Sequence, residues 1–101
     1  MKYKDPSLPV EARVEDLLGQ MTLEEKVAQL CGIMPMPFWG PNGVNEARMR
    51  ELLPHGIGQI SGTGPGGGLQ IKRIAHGVNQ IQRYLVEQTR LGIPAIVHNE
   101  A

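Results

Sequence analysis

A glycine-rich segment from Gly62 to Gly67 contains the sharpest short motif in this chain. Its letters, GTGPGG, match the G-x-G-x-x-G pattern of dinucleotide sites, and it stands between an apolar run and a long helical pattern, as such a site requires. Two features oppose nucleotide binding. Pro65 removes a backbone N–H that could face a phosphate, and the acidic position expected about 20 residues further on falls inside the helix rather than at the end of a strand. The alternative is a surface or substrate-side loop, and both interpretations stay open at this point.

A second candidate for chemistry is an acidic residue at the end of the chain's last apolar run. Residues 95–98 are predicted as a strand, and alternation along an extended backbone places Ile96, His98 and Glu100 on one side. The carboxyl ends of parallel strands are where α/β proteins bind ligands, because the covering loops converge there. Glu100 is therefore a candidate ligand-binding carboxylate. A solvated surface glutamate has the same local pattern, so the two alternatives remain.

The remaining reactive side chains predict no metal site and no cofactor. The histidines have no metal-ligand spacing, since they are far apart in the chain: His55, His76 and His98. Cys31 continues an apolar helical stripe and has no histidine at a nucleophile spacing, which predicts a buried structural thiol. Exposed helix faces, rather than a paired acid and base, are expected for three acidic residues: Asp16, Glu24 and Glu25.

Hydrophobic periodicity predicts the elements that position these residues. Helices are predicted over about 9–20 and about 44–53, and a longer one covers about 20 residues beginning at Leu69. A capping box of Thr22 and Glu25 begins another helix. Strands are predicted at 56–61 and 95–98. Residues 34–43 contain three prolines and are predicted as a loop whose Phe38 and Trp39 pack on other residues. The order strand, helix, strand requires a parallel crossover if both strands share a sheet.

Length and charge limit the chain to one small domain without an obvious polymeric partner. The 101 residues include 10 basic and 10 acidic side chains, and this balance gives no field that would attract nucleic acid or an anionic membrane. The amino terminus lacks the apolar region of a signal peptide, and a single cysteine favours a reducing compartment. We therefore expect a cytoplasmic protein. The last apolar run ends at Ala101 without a closing helix, as expected of a truncated chain.

Several segments taken together resemble glycoside hydrolase family 3. They occur in the family's order and cover nearly the whole chain, with the weakest likeness at 34–53 and in the glycine loop. The segments are DPSLPVE at 5–11, RVEDLL at 13–18, MTLEEKV at 21–27, GIG at 56–58, NQIQ at 79–82 and TRLGIPAIV at 89–97. No single one is specific, but the combination is.

The resemblance implies an α/β fold in which residues 1–101 are the truncated N-terminal part of a TIM-type (β/α)8 barrel. Leading helices would precede a first strand-helix-strand unit. The family's members are mostly retaining β-glycosidases, so the resemblance implies hydrolysis of terminal β-D-glucosyl or β-D-xylosyl residues by two carboxylates. Both carboxylates are expected outside residues 1–101, and the fragment alone is therefore expected to be inactive.

The same resemblance implies a role for Glu100. Asn99-Glu100-Ala101 is similar to the beginning of a family motif in which an acidic residue binds hydroxyls of the reacting sugar ring. An ionised carboxylate suits this role because it accepts hydrogen bonds from two neighbouring hydroxyls. Two rivals remain: a nucleotide-binding α/β module that uses the segment from Gly62 to Gly67, and a non-catalytic carbohydrate-binding or assembly piece.

Overall fold

Helices and short strands alternate along the part of the chain that the computed structural model describes, residues 1–40, 43–62 and 71–99. The α-helices are α1 (Val10–Gln20), α2 (Leu23–Gln29), α3 (Glu46–Leu52) and α4 (Ile71–Gln88). The strands are β1 (Gly32–Ile33), β2 (Trp39–Gly40), β3 (Gly43–Val44), β4 (Gln59–Ser61) and β5 (Ile96–His98). Two 3-10 helices span Lys2–Lys4 and Met36–Phe38. The predicted α/β class is confirmed.

Three of the strands form a parallel sheet in the order β1-β4-β5. Gly32 lies opposite Gln59, and Ser61 lies opposite His98. The parallel pairing of β4 with β5 across α4 confirms the predicted strand-helix-strand unit. The sequence pattern does not predict β1, because two residues are too few to show alternation and one of them is glycine.

One face of this sheet is buried and the other is open. Ile60 is fully buried, and its register partners on the same face are partly buried. This face contributes to a core to which α3 and α4 also contribute: Phe38, Met49, Leu53, Ile57, Ile60, Ile81, Tyr84, Leu85 and Ala95. The opposite face presents Gln59 and Ile96 to solvent, and Ile96 is 67% exposed. Burial of apolar area against the helices is therefore what holds this sheet.

Helix α1 is attached through the 3-10 helix that precedes it. Asp16 accepts a hydrogen bond from the Tyr3 backbone N–H at 2.9 Å, and Arg13 Nε donates to the Tyr3 carbonyl at 2.9 Å. The buried Tyr3 hydroxyl donates to the Leu91 carbonyl at 2.7 Å, which joins positions 88 residues apart. No residue of α1 is itself buried. Polar contacts through Tyr3 therefore link this helix to the loop after α4.

Helix α2 begins at the predicted capping box but ends sooner than its apolar stripe suggests. The Thr22 N–H donates to Glu25 Oε2 at 2.8 Å, and the Glu25 N–H donates to Thr22 Oγ1 at 3.2 Å. The helix stops at Gln29, so Cys31 lies beyond it and is exposed. The prediction that Cys31 is buried is wrong. The chain turns here so that the Cys31 carbonyl can accept from the Gln59 N–H at 3.2 Å, which aligns β1 beside β4.

The described residues of the proline-rich segment, 34–40 and 43, have more regular structure than the predicted loop. Trp39–Gly40 pairs with Gly43–Val44 as an antiparallel ribbon. Phe38 is 1% exposed, and Trp39 lies against Gly77 of α4, where an added Cβ would be 2.3 Å from Trp39 Cη2. The prediction that Phe38 and Trp39 pack on other residues is confirmed. Strand signals are absent because each ribbon strand has only two residues.

Helix α4 follows the predicted apolar periodicity. Ile81 and Leu85 are fully buried, and the chain after the helix turns at Gly92, whose φ of 66° lies in the left-handed region. An added Cβ at Gly92 would also be 2.8 Å from the Val86 carbonyl oxygen. Both the positive φ and the lack of space for a side chain therefore require glycine. Within the described ranges no helix combines the length and the apolar character needed to cross a bilayer.

Candidate functional site

The parallel strands bring their carboxyl ends to one edge of the sheet. This carboxyl edge consists of the last residues of β4 and β5, Ser61 and His98, with Met34, Gly62 and Asn99, which follow the three strands. Ser61 and His98 are register partners, so their side chains share the open face. His98 is exposed and Ser61 is half-buried. The edge thus offers a hydroxyl and an imidazole side by side.

Met34 adds an apolar surface to the carboxyl edge. A Cβ at Gly62 would lie 3.0 Å from Met34 Cε, so the thioether of one strand end reaches the next. Met34 is 53% exposed, and Gly62 has a φ of 74°. Hydrogen-bonding groups beside an apolar surface are typical of small-molecule sites. Sequence reasoning did not identify Met34 or Ser61. The sequence signal that could have identified them is that Met34 directly follows an apolar run and Ser61 ends one.

Only some of the candidate site residues predicted from sequence are among the residues that the structure describes. Glu100 lies outside the described residues, and so do positions 63–67 of the glycine motif. The alternation used to place Glu100 is visible in β5 itself, where Ile96 and His98 are exposed and Val97 is half-buried. Its assignment to the side of His98 stays a prediction.

A side chain of α4 holds the beginning of β5. The Ala95 N–H donates to Gln82 Oε1 at 2.9 Å, and Gln82 Nε2 donates to the Ala95 carbonyl at 2.8 Å. One residue later the Ile96 N–H donates to the Gly58 carbonyl at 2.9 Å. Ala95 is 8% exposed, so these bonds are largely shielded from water. The start of β5 is therefore fixed relative to both α4 and β4.

A second polar cluster lies away from the carboxyl edge. Arg90 donates from Nε to Glu25 Oε1 at 2.8 Å and from Nη2 to Glu25 Oε2 at 2.6 Å. Its Nη2 also donates to the Gln20 carbonyl at 2.6 Å. Glu25 is 7% exposed, so the prediction of an exposed face is wrong for this residue. Glu24 is exposed as expected, and Asp16 is half-buried.

The Arg90 contact determines the charge of Glu25. Hydrogen bonding to Arg90 lowers the pKa of Glu25 from 4.5 to about 2, against the opposing effect of burial. Glu25 is thus an ionised structural anchor between α2 and the loop after α4 rather than a proton donor. Local spacing could not reveal this pair, because its partners are 65 residues apart.

The other features of the described surface do not form a catalytic cluster. In residues 1–40, 43–62 and 71–99, no three His, Cys, Asp or Glu side chains are grouped to hold a metal ion. His55, His76 and His98 are all exposed. A groove of about 510 Å³ opens at the amino end of β5, and none of its lining residues is acidic: Tyr3, Lys4, Val10, Arg13, Val14, Leu17, Val86, Gly92, Ile93 and Pro94.

An α/β segment with polar groups at the carboxyl ends of its strands fits the sugar hydrolases that the sequence resembles, and comparisons with known proteins support this class. The chain is 36% identical, over 98% of its length, to a putative beta-xylosidase of Formosa agariphila. It is 34% and 33% identical, over 97% of its length, to proteins named probable beta-glucosidase C in Aspergillus oryzae and Aspergillus flavus. No family model matches the chain.

The comparisons concern a small part of these relatives. The chain spans 13% of the length of the Formosa agariphila protein and 16% of each Aspergillus protein. The resemblance to glycoside hydrolases of the β-xylosidase and β-glucosidase type is confirmed for such a segment.

Proposed function

We propose that this chain is the N-terminal part of the catalytic barrel of a retaining β-glycosidase of glycoside hydrolase family 3. The observation that carries the proposal is the similarity of nearly the whole chain to proteins named beta-xylosidase and beta-glucosidase. The β4-α4-β5 unit supports it, since a (β/α)8 barrel repeats such units. The sheet's open face supports it too, because barrel helices cover only the outer face of the strands.

The substrate in this proposal is a terminal β-D-glucosyl or β-D-xylosyl residue. Glu100 accepts hydrogen bonds from the hydroxyls of the sugar ring, and the support for this role is its position two residues after β5. His98 and Ser61 border the same open face. An ionised carboxylate beside neutral polar groups and the Met34 thioether matches the mixed polar and apolar surface of a pyranose ring.

The bond-breaking carboxylates belong to other parts of the enzyme in this proposal. Retaining glycosidases need a nucleophile and an acid/base carboxyl about 5 to 5.5 Å apart on either side of the anomeric carbon. Among the described residues the buried carboxylate is that of Glu25, and both of its oxygens are bound by Arg90. The chain therefore contributes substrate binding, and the isolated 101 residues do not hydrolyse glycosides.

A segment exchange tests the proposal. Residues 1–101 replace the matched segment of the Formosa agariphila relative, and the chimera is assayed with p-nitrophenyl β-xyloside and β-glucoside beside the relative itself and the isolated chain. We expect turnover by the relative and the chimera and none by the isolated chain. A chimera that melts cooperatively but is inactive, beside an active relative, contradicts the proposal, as does turnover by the isolated chain.

A further inference from the structure

We propose that the groove at the amino end of β5 receives the last turn of the helix that follows β5 in the parent enzyme. Residues of α1 line one wall of this groove, and the end of α4 and the turn into β5 line the other. The inference rests on the proposed function, because it needs a strand-helix repeat that continues beyond residue 101. It concerns the edge of the sheet opposite the carboxyl edge, so the occupant is a structural element and not the substrate.

The groove is lined by apolar side chains that remain accessible to solvent in the described chain. Its volume is about 510 Å³. Val10 and Val14 of α1 are 65% and 48% exposed, Val86 of α4 is 48% exposed, and all three line the groove. Burial of an apolar stripe is what normally holds an amphipathic helix in place, yet no residue of α1 is buried. The apolar side of α1 therefore faces a surface on which another element can pack.

The topology of the sheet indicates which element reaches this surface. Helix α4 joins two parallel strands and packs on one face of the sheet, so it ends at the amino edge, the edge where the strands begin. A further right-handed crossover would place the next helix beside α4 on the same face, displaced by one strand. Its last turn would return to the amino edge next to β5, where Val86, Ile93 and Pro94 line the groove.

The charge of the groove suits the end of a helix rather than its beginning. Lys4 and Arg13 line the groove, and none of the lining residues is acidic. The last turn of a helix has carbonyl groups without intrahelical partners and a partial negative charge, and ammonium and guanidinium groups stabilise both. An apolar wall with two cations therefore matches the carboxyl end of an amphipathic helix.

Contacts within the chain hold both cations at the groove. Arg13 Nε donates to the Tyr3 carbonyl at 2.9 Å, and Lys4 Nζ lies 5.7 Å from the centroid of the Tyr3 ring. Lys4 Nζ is also 3.7 Å from the position that an added Cβ would take at Gly92, in the turn before β5. Asp16 of the same helix accepts from the Tyr3 N–H at 2.9 Å and does not line the groove. The positive charge is thus placed beside the apolar wall before the occupant arrives.

Photo-cross-linking in the chimera described above identifies the occupant. Val14 is replaced by the photoreactive residue p-benzoylphenylalanine, the protein is irradiated, and the captured peptide is identified by mass spectrometry. We expect capture of the end of the first helix that follows the exchanged segment, within the same molecule. The same probe at Leu18 is the control, because Leu18 is a residue of α1 with nearly the same exposure, 49% against 48%, but it is not among the residues that line the groove.

Amide hydrogen exchange in the same chimera measures the docking without a bulky probe. Val14→Asp places a carboxylate against the carbonyl oxygens of the docked turn, and we expect exchange in that turn to become at least tenfold faster. Lys4→Gln removes one exposed cation and should accelerate this exchange about two- to fivefold, by an amount that decreases at high salt. Leu18→Asp should change it by less than about twofold.

Each outcome bears on one of the two proposals. Capture of another part of the parent, of a second molecule or only of residues 1–101 would overturn the docking of the next helix. Equal effects of the changes at Val14 and Leu18 would overturn it too, and so would a lack of capture with unchanged exchange in Val14→Asp. Any of these results in an active chimera contradicts the docking alone. A folded but inactive chimera contradicts the proposed function, whichever peptide is captured.

Discussion

Glutamates of this chain differ in what surrounds them, and the surroundings decide their chemistry. Glu25 is enclosed and bound on both oxygens by Arg90, whereas Glu24, one residue earlier, is exposed to solvent. Glu100 comes two residues after the end of β5 in the sequence. The same side chain is thus a structural anchor in one place and the proposed sugar-binding group in another.

The Glu25 and Arg90 pair predicts a specific pH dependence of stability. Because the pKa of Glu25 is lowered from 4.5 to about 2, its contribution is complete above pH 4.5 and is lost as the pH falls towards 2. Arg90 is 52% exposed, so screening by solvent keeps the contribution of the pair modest. Glu25→Gln should reduce the difference in unfolding free energy between pH 5 and pH 2.5.

Amide hydrogen exchange of α2 in the chimera, followed by mass spectrometry at the two pH values, measures this difference as a local unfolding free energy. Glu24→Gln is the control, since it removes an exposed carboxylate from the same turn of α2. An identical pH dependence in Glu25→Gln and in the unmodified chain would show that the Arg90 contact contributes nothing to stability.

The substitution Glu100→Ala tests the proposed sugar-binding role of this single residue. In the chimera we expect kcat/KM to fall by about one to two decades, since a charged hydrogen bond to a sugar hydroxyl contributes roughly 1.5 to 3 kcal/mol. Losing contacts to two hydroxyls together would increase the effect. Steady-state kinetics with β-glucoside and β-xyloside substrates measure it, and a melting curve confirms that the variant is folded.

Local sequence rules predicted hydrogen-bonded side-chain pairs only where both residues of the pair are close in sequence. The Thr22 and Glu25 capping box could be identified because its members are three residues apart. The Arg90 partner of Glu25 could not, since the contact spans 65 residues. The exposure of Cys31 was also missed, because the helical stripe continues in sequence beyond the point at which the helix ends.

In the described part of the chain, the closest approach at a glycine is at Gly58, where the residue before β4 meets the end of α2. An added Cβ there would lie 2.0 Å from the Gln29 carbonyl oxygen at the end of α2. The Gly58 N–H also donates to the Ala28 carbonyl at 3.0 Å, and its own carbonyl accepts from Ile96. Glycine at this point lets α2, β4 and β5 meet.

We therefore expect Gly58→Ala to be strongly destabilising. The clash is with backbone, which cannot rotate away as a side chain can, so the cost should be about 2 to 4 kcal/mol. The melting temperature and soluble yield of the chimera measure it. Gly32→Ala is the control, because its added Cβ would meet Gln59 atoms only at 3.6 Å and beyond. Equal stability of the two variants would contradict this account of the α2 to β4 contact.

The long amphipathic helix and the strands on either side of it were predicted from sequence, and the two-residue strands were not. Helix α4 has 18 residues and shows its apolar stripe over five turns, so its existence follows from periodicity alone. Strands β1, β2 and β3 have two residues each and exist because a neighbouring backbone is present to pair with them. The partner of β1 comes 27 positions later in register, beyond the reach of any local pattern.

The whole chain exposes more surface than a folded protein of its size. Its accessible area is 6789 Å², whereas a monomer of 11.1 kDa exposes about 5,700 Å². Its radius of gyration is 14.6 Å, against about 13 Å for a compact domain of this length. The excess includes large apolar side chains, among them Val10, Leu23, Leu30 and Ile96.

We expect the isolated chain to be marginally folded or to self-associate. In the described sheet both outer strands, β1 and β5, have an edge without a strand partner, and open edges promote pairing between chains. Helical far-UV circular dichroism should therefore coexist with ANS binding and with sedimentation that depends on concentration. A monodisperse monomer with a sharp cooperative melt and no ANS binding would identify an autonomous domain instead.

The hydrogen bond from Tyr3 to the Leu91 carbonyl has a consequence for synthesis on the ribosome. The bond joins residues 88 positions apart, so the Tyr3 hydroxyl has no acceptor at Leu91 until residue 91 has been made. At translation rates of about 5 to 20 residues per second, that delay is roughly 5 to 20 s, far longer than a helix needs to form. During this interval α1 and the 3-10 helix before it are held to each other through Tyr3 but lack their link to the loop after α4, so a helix of 11 residues is only marginally stable until that loop emerges.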